Sequence, residues 1–171
     1  INQDSSLYDY SDSENTIFVV FKADTSSDGG RYGHHIAGNS YRARQTNGIF
    51  GEANSDFGGG GLGYAGYCNN AIDRSCDSNN IAITTKQVVC GTYDGSTDVK
   101  FYNQNGLQST QSTGVTTSTK DQFAVGGGKF SSTVVNSEFD GKIYEVIVYD
   151  TELTDAQREQ VFNYLETKWN T

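Results

Sequence analysis

The sequence predicts an all-β protein that ends in a single α-helix, and two stretches near its C-terminus carry most of this prediction. Residues 139–150, FDGKIYEVIVYD, are rich in the β-branched and aromatic side chains that favour strands. Residues 154–169 begin with a capping box and repeat apolar side chains every four positions, as an amphipathic helix does. Elsewhere, short apolar runs alternate with segments rich in Gly, Ser, Thr, Asn and Asp, which is the composition of many strands joined by turns.

Short β-prone runs define the expected strands. The strongest is residues 16–23, TIFVVFKA, whose nearly continuous apolar character indicates a strand buried on both faces. The pairs Asp94-Gly95 and Asn105-Gly106 have the turn chemistry of β-hairpins, because both favour positive φ angles. A Ser- and Thr-rich stretch at 109–119 is expected to be an exposed strand or a long loop. The other predicted strands are residues 35–37, 41–44, 48–51, 81–85, 87–93, 98–102, 123–126 and 142–149.

The C-terminal helix is predicted from its cap and its apolar stripe. Thr154 and Gln157 have the spacing of a capping box. Val161, Leu165 and Trp169 then recur every four residues and define one apolar face. We therefore expect the helix to pack on the outside of a sheet or to close one end of it.

The chain is acidic, and its charge narrows the classes of partner. It carries 12 Lys and Arg against 21 Asp and Glu, for a formal net charge of −9. Because nucleic-acid affinity comes chiefly from Lys and Arg, we expect no nucleic-acid partner. No apolar run approaches the roughly 20 residues of a membrane-spanning helix, so we expect no membrane insertion. The length of 171 residues suits one domain that spans residues 1–171.

Two of the three cysteines bracket a polar loop. We expect a local disulfide between Cys68 and Cys76, because residues 69–75 have little apolar anchoring. Such a bond would indicate an oxidising setting, either extracellular or periplasmic; the alternative is that all three cysteines are reduced thiols. Cys90 follows two valines in a predicted strand, so we expect it to be a buried small hydrophobic residue.

The same region offers hard oxygen ligands. Asp73 and Asp77, with Asn69 and Asn70 nearby, carry side-chain oxygens of the kind that calcium takes. No dedicated calcium loop is present, and acidic loops are common on a chain of this charge. Two interpretations stay open: a calcium site that includes Asp73 and Asp77, and a solvated acidic loop.

A cluster of aromatic, imidazole and guanidinium groups predicts a carbohydrate site. Sugars are bound by aromatic rings on their C–H faces and by planar polar side chains on their hydroxyls, and the planar fork of Arg can also bind a uronate or a sulfate group. The Gly-rich stretch adds two tyrosines that we expect on a loop; its GxGxxG pattern at 61–66 lacks the βαβ context of a dinucleotide site. The alternative is that these aromatics lie in the core. The candidate carbohydrate-binding residues are Tyr32, His34, Tyr41, Arg42, Arg44, Tyr64 and Tyr67.

The last half of the chain resembles a known family. Five segments, taken together, are similar to concanavalin A-like jelly rolls of the laminin-G-like type. They are VCGTYDG at 89–95, VKFYNQNG at 99–106, FAVGG at 123–127, residues 139–149 and the helix. The resemblance implies a two-sheet antiparallel jelly-roll sandwich with one C-terminal α-helix. It also implies a non-catalytic role in binding glycans or cell-surface partners, often with calcium at the rim. In the matched segments, Gly95, Gly106 and Gly141 would make turns, and Tyr93, Ile143, Val146 and Val148 would fill the core.

An enzyme of the same fold is the weaker interpretation. Residues 138–140, EFD, begin like the E-x-D-x-x-E active site of laminarinase-type glycoside hydrolases, which need two neighbouring carboxyl groups. Ile143 occupies the third acidic position, and Glu145 has the wrong spacing and the opposite strand parity. We therefore expect no catalytic residue.

The sequence thus predicts a non-catalytic, lectin-like carbohydrate-binding domain of an extracellular or cell-surface protein. Its site would be formed by residues 24–80, and its partner would be a glycan or cell-surface polysaccharide. The alternatives are a structural, adhesion or virion-surface module that contacts protein, and a glycoside hydrolase or lyase. Because the chain begins with Ile1 and shows no signal peptide, we expect a processed protein or a piece of a larger parent protein.

Overall fold

The computed structural model of this chain describes residues 14–24, 34–40, 46–52, 64–68, 75–78, 85–112, 123–127 and 139–171. Within these ranges, ten β-strands form two five-stranded antiparallel sheets, and one α-helix follows them. This confirms the predicted fold class, an all-β sandwich with a C-terminal helix. The elements are β1 (Asn15–Ala23), β2 (His34–Ser40), β3 (Thr46–Glu52), β4 (Tyr64–Cys68), β5 (Ser75–Ser78), β6 (Gln87–Tyr93), β7 (Asp98–Asn103), β8 (Gly106–Ser112), β9 (Phe123–Val125), β10 (Gly141–Tyr149) and α1 (Asp155–Trp169).

The strands are divided between the sheets in a fixed order. The first sheet has the order β10-β1-β6-β7-β8, and the second sheet has the order β5-β4-β3-β2-β9. The inner core lies between them: Ile17, Val19 and Phe21 of β1 pack in one cluster with Ile36 and Ile49 of the second sheet. All five side chains are at most 1% exposed, so each contributes about 1.5–3 kcal/mol of hydrophobic stabilisation.

An outer core covers the opposite face of the first sheet. Phe18 and Val20 of β1 pack there with Leu165 of α1, and all three side chains are fully buried. The ring of Phe162 meets that of Phe18 edge to face, with 5.3 Å between centroids. β1 is therefore buried on both faces and α1 lies on the outside of a sheet, as the sequence predicts.

The start of α1 has the predicted capping box. The backbone N–H of Gln157 donates to the Thr154 hydroxyl, and the Gln157 side chain accepts from the backbone N–H of Thr154 at 2.9 Å. The last turn ends at Asn170, which adopts a left-handed conformation with φ of 52°. In the described part of the chain, no helix is long and apolar enough to cross a membrane.

β10 contains one residue more than the segment of β1 that it pairs with. Val20 lies opposite Glu145 and Phe21 opposite Ile143, so Tyr144 is the extra residue of a β-bulge. The bulge interrupts the alternation of faces: Ile143 packs in the inner core, whereas both Tyr144 and Glu145 contact Trp169 of α1. The prediction that Glu145 has the opposite strand parity assumes regular alternation of side chains along the strand. The bulge breaks this alternation, so the predicted parity does not hold.

Most predicted strands within the described ranges are confirmed, with small changes of boundary. The segments 41–44 and 81–84 lie outside the described residues. Two strands were missed, β4 and β5, because their sequences, YAGYC and SCDS, are rich in small and polar residues. Tyr64 and Tyr67 were expected on a loop and instead lie in β4, where pairing with β3 on one side and β5 on the other sets the backbone.

The family-like segments have the expected structural roles. Gly141 has φ of +156°, and a Cβ there would clash with the backbone oxygen of Lys22 and would lie 2.8 Å from the Cα of Ala23. Tyr93 is buried in the inner core, against which Ile143, Val146 and Val148 pack. Cys90 is a fully buried free thiol, as predicted, and burial raises its pKa well above the ordinary value.

Candidate functional site

Three of the seven predicted carbohydrate-binding residues lie in strands of the second sheet. His34 begins β2 and is paired with Gly51 of β3. In β4, Tyr64 is paired with Glu52 and Tyr67 with Ile49. The other four residues lie outside the described ranges: Tyr32, Tyr41, Arg42 and Arg44. The sandwich therefore brings His34, Tyr64 and Tyr67 into one sheet, on strands that flank β3.

The predicted disulfide and calcium site fall in the β4–β5 hairpin. Cys68 is paired with Ser75, and Cys76 is paired with Tyr67, so the two cysteines are offset by one register position. Asp77 is paired with Gly66, and Asp73 lies outside the described residues. The Cys68–Cys76 bridge and the calcium site stay predictions. Among the residues that the structure describes, no three His, Cys, Asp or Glu side chains are grouped to hold a metal.

A cleft that the sequence analysis did not anticipate lies on the outer face of the first sheet. It is formed between the first turns of α1 and the hairpin of β7 and β8, and its volume is about 450 Å³. Tyr102 and Leu107 are directly paired across this hairpin and line the sheet side. Phe162 and Asn163 line the helix side. We call this feature the α1 cleft.

Arg158 joins the helix to the sheet at the base of the α1 cleft. The residue is only 5% exposed, and its guanidinium donates to the backbone oxygen of Leu153 and to the carboxylate of Asp155. The guanidinium also lies 4.2 Å from the centroid of the Tyr102 ring, in cation–π geometry. Burial raises the pKa of Tyr102, and the charge of Arg158 partly offsets this effect. The positive charge of Arg158 is therefore already engaged by protein groups.

The remaining charged groups of the α1 cleft are acidic. Asp155, Glu159 and Glu166 line it from the helix side, against the single guanidinium of Arg158. Exposed amides complete the rim, contributed by Gln104 of the hairpin and Asn163 of the helix. The cleft thus combines an apolar surface with amide and carboxylate groups, the arrangement of a small-molecule site.

The α1 cleft was missed because its two halves are far apart in the sequence. In the sequence, the helix has only the pattern of a packing element, and the hairpin has only the pattern of a turn. One signal was present in the sequence: Leu107 directly follows the Asn105-Gly106 turn, where no core residue is expected. In the structure, its side chain is 55% exposed.

Glu145 has a structural role at the other end of the helix. Its carboxylate accepts hydrogen bonds from the indole Nε1 of Trp169 at 2.6 Å and from the Nζ of Lys168 at 3.0 Å. Partial desolvation raises the pKa of Glu145, but the two hydrogen bonds outweigh it and the pKa lies below the ordinary value. The carboxylate is thus occupied in anchoring α1.

Comparisons with known proteins find likeness in structure only. No family model matches the sequence, and no curated protein sequence matches it. A carbohydrate-binding module of family CBM40 from the Ruminococcus gnavus IT-sialidase has a similar fold: the TM-score is 0.60 at 16% identity, over 90% of this chain and 84% of that one. A second structure of this module, with the same scores, is bound to alpha2,3 sialyllactose.

A whole enzyme contains a similar fold. The Trypanosoma rangeli sialidase, in complex with 2-keto-3-deoxy-D-glycero-D-galacto-2,3-difluoro-nononic acid, matches with a TM-score of 0.63 at 12% identity. The match covers 93% of this chain but 24% of the sialidase, so the chain spans about a quarter of that protein. At these identities the likeness establishes the fold: a β-sandwich shared with sialidase-related carbohydrate-binding modules.

Proposed function

We propose that this chain is a non-catalytic carbohydrate-binding domain whose ligands are glycans, with sialylated glycans as the first candidates. The observation that carries the proposal is the similarity of nearly the whole sandwich to a module that is bound to alpha2,3 sialyllactose. The finer family, the laminin-G-like type, remains our proposal from the sequence resemblance.

The proposed site lies within residues 24–80, which include strands β2 to β5 of the second sheet. His34 and the two tyrosines of β4 flank β3 in this sheet. Arg42 and Arg44 follow β2 directly in sequence. A guanidinium binds a carboxylate through two parallel hydrogen bonds, so these arginines suit the acidic group of a sialic acid.

The absence of catalysis is part of the proposal. The two-carboxylate mechanism of most glycoside hydrolases needs a pair of acidic groups across the scissile bond. In this chain Ile143 takes the place of the third acidic residue and packs against the inner core, while Glu145 is bound to Trp169 and Lys168. We expect no release of sialic acid from alpha2,3 sialyllactose by the purified domain, and steady product formation would contradict this.

The setting is proposed on the same basis. We propose an extracellular or cell-surface location, in a larger parent protein, with a Cys68–Cys76 disulfide and calcium near Asp73 and Asp77. Non-reducing peptide mapping should find Cys68 linked to Cys76. Alkylation of both cysteines without reductant would remove the disulfide and the main argument for an oxidising compartment.

The experiment that tests the function is a glycan array of sialylated and matched desialylated glycans, in calcium and again in EDTA. We expect binding to the sialylated members. Arg42→Ala and Arg44→Ala should weaken it strongly, whereas Lys142→Ala, which removes an exposed cation from β10, should not. Loss of binding in EDTA would support the calcium site. An array with no bound glycan would contradict the proposal and favour a structural or adhesion module that contacts protein.

A further inference from the structure

The α1 cleft is separate from the proposed glycan site. It lies on the outer face of the first sheet, under α1, whereas His34, Tyr64 and Tyr67 belong to the second sheet. The described residues that line the α1 cleft come from β7, β8, the turn between them and α1. The α1 cleft is therefore built from elements other than the strands on which the glycan site is proposed.

The size and walls of the cleft suit a small ligand with one apolar face. Its volume of about 450 Å³ lies within the range of small-molecule sites, roughly 300–1,000 Å³. Leu107 presents an apolar surface at the mouth, and the partly buried ring of Phe162 forms the facing wall. The C–H face of a sugar ring is the kind of surface that such side chains contact.

The polar groups suit the hydroxyls of a sugar. The amides of Gln104 and Asn163 each both donate and accept hydrogen bonds. The carboxylates of Glu159 and Glu166 are acceptors for hydroxyl protons, and such charge-assisted bonds are stronger than neutral ones. A purely apolar ligand would remove these groups from water without replacing their hydrogen bonds.

The charge of the cleft selects against acidic sugars. Three carboxylates line it, and its one cation, Arg158, is already bound to Asp155 and to the oxygen of Leu153. An incoming carboxylate would be repelled and would find no free cation among the described lining residues. The sialic acid that we propose for the second sheet is therefore a poor ligand here.

The cleft is also held open by the fold itself. The guanidinium of Arg158 lies on the ring of Tyr102 in β7 and so fixes the first turns of α1 to the sheet. The contacts of Glu145 with Trp169 and Lys168 fix the last turn of α1. A site on two anchored elements loses little conformational entropy when a ligand binds.

We propose that the α1 cleft is a second ligand site that binds a neutral sugar unit and excludes acidic sugars. It would let one domain contact a neutral unit and an acidic unit of the same glycan surface through two different sites. Two weak sites on one domain raise the overall affinity through effective concentration when both are engaged.

The test is a titration of the 15N-labelled domain, followed by NMR chemical shifts. The neutral probes are the methyl glycosides of glucose, galactose, mannose and N-acetylglucosamine, and the acidic probe is methyl glucuronide, which differs from methyl glucoside by a carboxylate. We expect at least one neutral probe to shift the signals of Gln104, Leu107 and Asn163, and the glucuronide to leave them unchanged. Absence of shifts with all four neutral probes, or equal shifts with the glucuronide, overturns the proposal.

Substitutions then assign the binding to the α1 cleft. Asn163→Ala and Leu107→Ala both change exposed side chains, so the fold should persist, and each should weaken the neutral sugar by about tenfold through the loss of one amide contact or one apolar contact. Their controls are Gln160→Ala, an exposed amide on α1 outside the cleft, and Val125→Ala, an exposed apolar residue on β9. Equal affinity of all four variants would contradict the assignment.

The result of the neutral-sugar titration can be distinguished from the result of the test for sialylated glycans. The chemical shifts that alpha2,3 sialyllactose causes in β2 and β4 should be unchanged in Asn163→Ala, because the site proposed for the sialic acid lies on the other sheet. If the domain binds no sialylated glycan but shows the neutral-sugar shifts, the proposed function is contradicted and the proposal for the α1 cleft is supported.

Discussion

Arg158 contributes to the docking of α1 on the first sheet in a way that its neighbours in the sequence do not indicate. It lies between polar neighbours in α1, yet it is 5% exposed and makes hydrogen bonds and a cation–π contact at the helix–sheet boundary. Arg158 lies four residues before Phe162 and seven before Leu165, so it shares the buried face of the helix, but from the sequence a charged residue there is expected to be exposed. Its role depends on Tyr102, which lies on a distant strand.

We expect Arg158→Leu to destabilise the domain. The change removes the donor for the Leu153 oxygen and leaves that buried acceptor without its side-chain partner, at a cost of about 2 kcal/mol. Urea unfolding measures this cost. Arg158→Lys keeps a cation but not the planar fork, so it should fall between wild type and Arg158→Leu. Equal stability of wild type and Arg158→Leu would contradict the proposed role.

Asp94 controls the turn between β6 and β7. Its Oδ1 accepts the backbone N–H groups of Ser96 and Thr97 at 2.8 Å and that of Asp98 at 3.0 Å. Desolvation raises the pKa of Asp94, but these hydrogen bonds outweigh it, so the pKa lies below the ordinary value of 3.8. The ionised form therefore stabilises the folded state above the unfolded pKa, and this contribution is lost as the pH falls through the lower, folded pKa.

Asp94→Ala should consequently destabilise the domain in a pH-dependent way. The difference in unfolding free energy from wild type should be constant above about pH 5 and should shrink below about pH 4, because an Asp side chain in an unfolded chain titrates at about pH 3.9. Chemical unfolding at a series of pH values measures it, with the exposed Asp150→Ala as control. A difference that grows as the pH falls would contradict the assignment.

At the scale of elements, apolar patterning predicts the first sheet and α1 well. β1, β6, β7 and β10 carry β-branched and aromatic runs, and α1 carries both its cap and its stripe. β4 and β5 carry neither, and their strand conformation comes with pairing to neighbouring strands. The bulge at Tyr144 is equally invisible in the sequence, because an extra residue exists only relative to the partner strand.

The bulge has a consequence for the stability of α1. Glu145→Ala removes the acceptor for the indole of Trp169, and we expect a loss of about 1–2 kcal/mol with a red-shifted emission of this single Trp as the last turn loosens. Fluorescence and urea unfolding measure both effects. Glu145→Gln keeps an acceptor oxygen and should restore much of the loss. Unchanged emission in Glu145→Ala would contradict the anchoring role.

Substitutions at two glycines distinguish the cost of backbone strain from the cost of a steric clash. Gly141 and Gly106 both have positive φ, +156° and +95°, but a Cβ would clash with backbone atoms only at Gly141. Gly106→Ala should cost about 1 kcal/mol from strain alone, and Gly141→Ala should cost clearly more because β1 must move. Thermal unfolding ranks them, and equal costs would contradict the close approach of β10 to β1.

At the scale of the whole molecule, the sequence predicts the fold class and the proposed role but not the α1 cleft. The fold follows from apolar runs that are each readable locally. The cleft joins residues 102–107 to residues 155–166, and only the docking of α1 on the first sheet brings them together. The proposed glycan site differs from the α1 cleft, because its residues were predicted from their side-chain chemistry. The sandwich places three of them in one sheet.

The central claim is that the domain binds sialylated glycans through its second sheet. The measurement that tests it most directly is a titration of the 15N-labelled domain with alpha2,3 sialyllactose and, in parallel, with lactose. We predict saturable shifts at β2 and β4 with sialyllactose, much weaker shifts there with lactose, and no shifts in β1 or β6 at the centre of the first sheet. Saturable shifts confined to the first sheet, or the absence of any shift at millimolar sialyllactose, would contradict the account.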